Sequence, residues 1–255
     1  INPTLMQTLE GQPVFVHAGP FANIAIGQSS VIADRLGSLL GDYLVTESGF
    51  GADIGFEKFW NIKCRTTQMK PDAAVIVATV RALKSHGGGP AVKPGAKLDE
   101  AYTKENIGLV EAGCENLRAH IETVVKAGVT PVVCLNAFYT DTGAEHQAGR
   151  RVAEAAGAVF AVSNHWLKGG EGAIELAEAV IAASSKPSSF HFLYSLDEPV
   201  ESRIEKIARD VYGADGVSYT DEARAKLQII KADPATSAMP ICMAKTQYSL
   251  SHDAT

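Results

Sequence analysis

The chain has 255 residues, of which 46% are hydrophobic and 20% are charged, and its formal net charge at pH 7 is -6. This composition is typical of a globular protein and excludes a disordered chain, which would be poor in apolar residues and rich in net charge. The acidic balance argues against a protein that wraps nucleic acid, and no apolar run reaches the ~20 residues that cross a bilayer, so we expect neither a nucleic-acid nor a membrane partner.

Short apolar runs recur along the chain and alternate with amphipathic stretches. The runs, which we predict to be strands, cover residues 14–17, 43–46, 73–78, 131–135, 158–162, 190–194 and 240–243. Apolar residues at helical spacing predict helices from about residue 30 and over 105–126, 147–156, 172–183 and 201–211. This alternation indicates an α/β fold with mainly parallel sheets flanked by helices.

The first segment that could carry chemistry is HAGPFANIAIGQSS, residues 17–30. It follows a predicted strand and precedes a predicted helix, and junctions of this kind bind ligands in α/β folds. The alternative interpretation is a turn followed by a helix N-cap.

The second segment, TESGFGADIGFEK, covers residues 46–58. Gly49 and Gly51 imitate a dinucleotide-binding fingerprint, but the third glycine is Gly55, one place later than GxGxxG requires. A nicotinamide site is therefore only one interpretation. The acidic residues of the segment could act on charge or on a metal, or they could simply favour the dipole of the following helix; they are Glu47, Asp53 and Glu57.

The third segment places Arg81, Lys84 and His86 just before three consecutive glycines. Cations beside free backbone N–H groups suit an anionic ligand or an active-site loop, whereas the alternative is a solvated helix end. The glycine- and proline-rich stretch 87–98 is predicted to be an exposed loop.

Aromatic residues follow two successive predicted strands. Phe138 comes shortly after the strand at 131–135, and Trp166 comes shortly after the strand at 158–162. A flat heteroaromatic ligand could stack between such rings, with Asp141 or Lys168 fixing its edge. The alternative is that both rings only fill space in the fold.

The four cysteines are widely spaced and form no CxxC pair, so neither a zinc ribbon nor a thioredoxin-type site is indicated. We predict that Cys134 and Cys242 are buried in apolar runs as reduced thiols, which fits a cytoplasmic protein. The HExxH, GxSxG and GxxxxGK[ST] motifs do not occur in these residues. No metal site is predicted.

Taken together, these segments resemble the formate–tetrahydrofolate ligase family. The stretches that carry the resemblance are LMQTLEG (5–11), HAGPFANIA (17–25), SVIAD (30–34), GFGADIG (49–55), EKF (57–59), KCR (63–65), VATVRALK (77–84), HGG (86–88), NAF (136–138), KGGEG (168–172), YGADGV (212–217) and MAKTQYS (243–249). They keep the order of the family and span nearly the whole chain. Ile26 stands where members of the family usually have His in an AHG motif.

The resemblance implies an enzyme that uses ATP, with Mg²⁺, to join formate to tetrahydrofolate through formyl phosphate. It implies a P-loop-NTPase-like nucleotide domain and a second Rossmann-like domain, a homotetramer, and an optional monovalent cation. Phe138 and Trp166 match the family's aromatic pair around the pterin ring, and Ala22 and Phe50 match positions near the adenine of ATP. The cluster of Arg81, Lys84 and His86 receives no firm role from the family.

The resemblance also implies that the chain, which starts at Ile1 and not at Met, is part of a longer enzyme. The family's phosphate loop and its C-terminal segment would lie outside the chain, so we expect these residues alone to be inactive. The implied domains are 1–127 for nucleotide binding, 128–235 for the folate site, and 236–255 as the start of a C-terminal domain. The alternatives are a non-catalytic folate- or nucleotide-binding module and a Rossmann-type oxidoreductase.

Overall fold

A computed structural model describes residues 2–19, 21, 23–93, 95–244 and 250. They form two compact units, one from Ile1–Lys70 with His191–Ala254 and one from Pro71–Phe190. Strands and helices alternate in the second unit around a parallel three-stranded sheet, which confirms the predicted α/β class. The domain boundaries after residues 127 and 235, which the resemblance implies from the roles of the segments, stay a prediction.

The elements are numbered in chain order. The strands are β1 (Thr4–Gln7), β2 (Pro13–Val16), β3 (Ala73–Ala78), β4 (Thr130–Asn136) and β5 (Val159–Ser163). The α-helices are α1 (Val31–Leu40), α2 (Cys64–Thr67), α3 (Val80–His86), α4 (Glu100–Thr103), α5 (Ile107–Lys126), α6 (Gly143–Ala155), α7 (His165–Lys168), α8 (Ile174–Ser184), α9 (Val200–Asp210), α10 (Asp221–Ala232) and α11 (Pro234–Ser237). Wide π-type turns cover Ala52–Phe56 and Phe59–Lys63 and lead into α2, and a 3-10 turn covers Gly169–Ala173.

The sheet of the second unit has the order β3–β4–β5, and both pairs are parallel. One face packs on α3, α5 and α6, with Val133, Leu135 and Phe160 in the core. The alternate residues Val132 and Cys134 point to the opposite face and are also buried, and α8 packs against all three strands. The central strand β4 is therefore covered on both faces, as its continuous apolar run predicts.

The predicted helices of the second unit are confirmed with shifted ends. Asn106 caps α5 by accepting a hydrogen bond from the backbone N–H of Leu109 at 3.1 Å, and the chain leaves this helix through Gly128 at a φ of 74°. Thr142 and Glu145 form a capping box at the start of α6, which places this helix start four residues before the predicted 147.

In the first unit, the predicted helices from about residue 30 and over 201–211 are confirmed as α1 and α9, but the strands depart from the prediction. The predicted strand at 14–17 is confirmed as β2, but it pairs with β1 in an exposed antiparallel hairpin. The predicted strands at 43–46, 190–194 and 240–243 are wrong, because no strand forms there.

Side chains supply the hydrogen bonds that a neighbouring strand would otherwise provide. The indole N–H of Trp60 donates to the carbonyl of His191 at 2.6 Å, and the backbone N–H of Leu193 donates to Asn61 Oδ1 at 3.2 Å. The backbone N–H of Ile241 donates to the Tyr194 hydroxyl at 3.0 Å. These segments therefore satisfy backbone groups without joining a sheet.

The cysteine prediction is half right. Cys134 is buried in β4, whereas Cys242 is exposed, because its apolar run is not a covered strand. No helix in the described part of the chain is both long and apolar enough to cross a membrane.

Candidate functional site

The carboxyl edge of the sheet brings the predicted aromatic pair to neighbouring strand ends. Asn136 at the end of β4 pairs with Ser163 at the end of β5, and the N–H of Ala137 donates to the carbonyl of Ser163 at 3.0 Å. Phe138 lies just beyond β4 and is half-buried, whereas Trp166 lies in α7 and is 80% exposed. The carboxyl edge of a parallel sheet is where α/β folds bind ligands.

Two contacts hold Phe138 in place. Its backbone N–H donates to Asp141 Oδ2 at 2.9 Å, and the Asp141 side chain is only 3% exposed. Its ring faces the guanidinium of Arg81, whose Cζ lies 4.9 Å from the ring centroid, within the range of a cation–π interaction. The predicted edge-fixing role of Asp141 stays a prediction, but its carboxylate is already engaged with the Phe138 backbone.

Asn136 is a polar residue for which the sequence analysis predicts no role. It ends the buried strand β4, and its Oδ1 is buried without a hydrogen-bond partner among the described residues. Buried acceptors are nearly always satisfied, so a free one beside Phe138 marks a place for a donor. A polar residue at the carboxyl end of an otherwise apolar strand is the sequence signal that could have indicated it.

Lys84 is fully buried, and its charge is paired. Its Nζ lies 2.6 Å from Glu145 Oε1 and donates to the carbonyl of Lys104 at 2.7 Å. Burial raises the pKa of Glu145, but hydrogen bonds from Lys84 and from the backbone of Asn106 and Thr142 outweigh it and lower the pKa. These contacts tie α3 to α6 and leave the proposed anion-binding role of Lys84 a prediction.

The other members of the predicted cationic cluster lie in different surroundings. Arg81 faces Phe138, whereas His86 is exposed at the end of α3, with its Nδ1 at 3.5 Å from Asn116 Nδ2. The structure therefore does not gather Arg81, Lys84 and His86 around one point. The following loop lines an open, shallow pocket of about 220 Å³ whose lining includes Lys97 and Tyr102.

The predicted adenine-binding positions lie in the first unit. Ala22 is outside the described residues. Phe50 is 60% exposed and has a φ of 62°. A bulky residue in this left-handed region is strained, and such strain clusters at ligand-binding and catalytic sites.

Close backbone packing explains Gly55 of this segment and Gly27 of the preceding one, whereas a Cβ on Gly49 would meet nothing within 4 Å. A Cβ on Gly55 would lie 2.0 Å from the carbonyl oxygen of Gly49, and a Cβ on Gly27 would lie 2.3 Å from that of Gly55. Gly27 also has a φ of 91°, a backbone conformation that residues other than glycine rarely adopt. Gly55 therefore needs no dinucleotide to account for it.

Of the three acidic residues of the same segment, Glu47 is exposed, whereas Asp53 and Glu57 are not at a solvated helix start. Asp53 and Glu57 are both 0% exposed. Burial raises the pKa of Glu57 to about 7, with a small contribution from Asp53, while Asn61 and Lys58 oppose the shift. Within the described ranges, no group of three or more His, Cys, Asp or Glu side chains could hold a metal ion.

Comparison with known proteins identifies one family along the whole chain. The model of the family described as formate–tetrahydrofolate ligase matches residues 1–255. The chain is 66% identical over 253 residues to a formate–tetrahydrofolate ligase of Dehalococcoides mccartyi, and 64% identical over 253 residues to one of Desulfotalea psychrophila. These matches cover 99% of the chain but only 42% and 45% of the lengths of the two relatives.

Proposed function

Because the chain belongs to the formate–tetrahydrofolate ligase family, we propose that the protein carrying it makes 10-formyltetrahydrofolate from formate, tetrahydrofolate and ATP. The observation that supports a folate site in this chain is the aromatic pair at adjacent strand ends, Phe138 and Trp166. A pterin is flat and aromatic, and stacking on a ring adds about 0.5–1.5 kcal/mol beyond the area that it buries.

The proposed reaction has two steps. A formate oxygen attacks the γ-phosphorus of ATP, the bond to the β–γ bridging oxygen breaks, and ADP leaves, which gives formyl phosphate. N10 of tetrahydrofolate then attacks the formyl carbon, the carbon–oxygen bond to phosphate breaks, and N10 loses its proton. The protein must align the partners and stabilise the phosphate charge.

The residues of this chain have separate parts in the proposal. Phe138 and Trp166 stack on the pterin ring, and the exposed, strained Phe50 contacts the adenine together with Ala22. Mg²⁺ would bind together with ATP, because it coordinates the phosphate oxygens of the nucleotide. A monovalent cation, a homotetramer and a cytoplasmic location stay predictions.

The test uses the full-length protein that contains this chain. Product formation should require ATP, formate and tetrahydrofolate together, and Trp166→Ala should raise the KM for tetrahydrofolate about fivefold or more, because one stacked ring contributes on the order of 1 kcal/mol or more. Tyr43→Ala removes another exposed aromatic side chain from a position without a proposed role and should leave this KM unchanged.

The alternative is a binding module without turnover. It predicts that tetrahydrofolate binds in a calorimetric titration while no product forms with all three substrates present. Product formation by the full-length protein would exclude it. We also expect the 255 residues on their own to form no product, since they correspond to 42% of the length of a relative.

A further inference from the structure

Three side chains follow the three strands of the sheet in spatial order. β3 leads into α3, whose first turn carries Arg81; β4 leads to Phe138; and β5 leads to Trp166. Because β4 is the middle strand, Phe138 lies between the strand end that carries Arg81 and the strand end that carries Trp166. The two sides of Phe138 therefore have different neighbours.

Arg81 occupies one side of the Phe138 ring. The guanidinium carbon of Arg81 lies 4.9 Å from the centroid of the Phe138 ring. The backbone of Arg81 is fixed, because Thr79 caps α3 by accepting a hydrogen bond from the N–H of Ala82 at 3.0 Å. Arg81 Nε is buried without a hydrogen-bond partner among the described residues, so the ring is the contact that the structure shows for this end of the side chain.

We propose that Arg81 is a positioning residue of the folate site: its guanidinium backs one face of the Phe138 ring, so that the pterin stacks on the opposite face, toward Trp166. This inference rests on the proposed function, because it assumes that folate binds at the Phe138–Trp166 edge. Arg81 does not touch the reacting atoms in this arrangement. It acts by holding an aromatic surface in the orientation that binding needs.

The geometry predicts a specific kinetic effect. A cation–π contact contributes about 0.5–2 kcal/mol, depending on how far it is desolvated, which corresponds to about a two- to thirtyfold change in binding. Arg81→Met in the full-length protein should therefore raise the KM for tetrahydrofolate about two- to thirtyfold. The KM values for ATP and formate, and kcat at saturating tetrahydrofolate, should be unchanged. The reason is that the variant loses an interaction that favours bound tetrahydrofolate equally in the ground state and in the transition state.

The same chain offers a matched control. Arg150 faces the ring of Phe160 with its Cζ 4.8 Å from the centroid, which is nearly the same geometry at another place in the unit. Arg150→Met should leave the KM for tetrahydrofolate unchanged. Arg81→Lys, which keeps the charge but not the planar guanidinium, should give a KM between wild type and Arg81→Met.

The outcomes separate this inference from the proposed function. If Phe138→Ala raises the KM for tetrahydrofolate and Arg81→Met does not, the positioning role is overturned and the folate site stands. If Phe138→Ala and Trp166→Ala both leave the KM and the calorimetric Kd for tetrahydrofolate unchanged, the folate site itself is overturned. An equal rise of all three KM values in Arg81→Met would show general damage and contradict a positioning role.

A second variant protects the test against misfolding. If Arg81→Met does not fold, Arg81→Gln takes its place with the same expected and contrary results. Calorimetric titration of the variant with tetrahydrofolate alone then reports binding without turnover. A Kd equal to that of the wild type overturns the inference.

Discussion

Charged side chains in the interior of this protein fall into two classes. Lys84 and Glu145 are buried together and neutralise each other at 2.6 Å. Lys63 and Asp34 form a second buried pair. Glu57, in contrast, has one oxygen bonded to Asn61 at 3.1 Å and the other without a hydrogen-bond partner among the described residues. Removing one partner of a buried ion pair is strongly destabilising because the other charge stays buried, whereas an isolated buried carboxyl prefers to be neutral.

Glu57→Gln tests the neutral state of this carboxyl. Burial raises its pKa from 4.5 to about 7, so the folded protein holds a proton that the unfolded chain releases over this range. The free energy of unfolding therefore falls as pH rises from 4.5 to about 7 and stays lower above it. Glutamine cannot ionise and still accepts the Asn61 hydrogen bond.

We expect Glu57→Gln to exceed the wild type in stability above about pH 7 by on the order of 3 kcal/mol, and to match it below pH 4.5. Denaturant unfolding across this pH range measures the difference. Glu178→Gln, on the exposed side of α8, is the control and should show no such trend. A Glu57→Gln effect that is the same at every pH would contradict the raised pKa.

Lys84→Met tests whether the buried lysine is structural. It leaves Glu145 charged and buried without its ion-pair partner, which costs about 3–5 kcal/mol of unfolding free energy. Lys104→Met removes the exposed Lys104–Glu100 pair at 2.6 Å and should cost no more than about 0.5 kcal/mol. Chemical denaturation of both variants measures the loss of unfolding free energy in each. Similar losses would show that the buried Lys84–Glu145 pair matters no more for stability than the exposed Lys104–Glu100 pair.

At the scale of elements, helices α3 and α5 meet through glycine backbone. A Cβ on Gly113 of α5 would lie 1.8 Å from the carbonyl oxygen of Leu83, and a Cβ on Gly87 would lie 2.0 Å from that of Leu109. These positions allow an approach that any other residue would block. Helical periodicity predicts α5 as an element but does not show which helix approaches its glycines.

Gly113→Ala should therefore destabilise the protein by about 1–3 kcal/mol or more, because the added methyl forces α3 away from α5. Gly108 lies in the same helix, and a Cβ there would meet only Asn106 Oδ1 at 3.8 Å. Gly108→Ala should be neutral or stabilising by up to about 1 kcal/mol, since alanine favours helix. Thermal unfolding of the two variants measures the change in stability of each. Equal changes would contradict the close approach of α3 and α5.

At the scale of the whole molecule, the two compact units differ in how the chain builds them. Pro71–Phe190 is continuous and contains its own core around Val133 and Phe160. The other unit combines two distant segments, since Trp60 and Asn61 bond to the backbone of His191 and Leu193. The described residues of Pro71–Phe190 thus form a unit from one stretch of sequence, whereas the other unit needs two.

We expect residues 71–190, expressed on their own, to fold and unfold cooperatively. Residues 1–70 alone should not, because the segment that satisfies Trp60 and Asn61 is then missing. Circular dichroism with thermal unfolding measures both. A cooperative transition in 1–70, or none in 71–190, would contradict this division. The exposed Val75 and Val77 on β3 are a solubility risk for the isolated unit.

Much of the second unit is predictable from sequence because its signals are local. β3 forms over residues 73–78 as predicted, and α5 begins only two residues after its predicted start. The apolar runs of β4 and β5 are flanked by helices with clear periodicity. The three incorrect strands share one cause: a short apolar run does not show whether its backbone will find another strand or a side chain as its hydrogen-bond partner.

The sequence by itself determined the fold class, the family, and the aromatic residues at two strand ends, because each depends on residue type and order along the chain. The tertiary structure alone decided that Arg81 backs Phe138, that Lys84 is buried against Glu145, and that Glu57 lies in the interior. Arg81 and Lys84 are three residues apart in one helix, yet Arg81 faces the Phe138 ring and Lys84 forms an ion pair with Glu145. Which neighbour a side chain meets depends on how distant elements pack, and this is not a property of the local sequence.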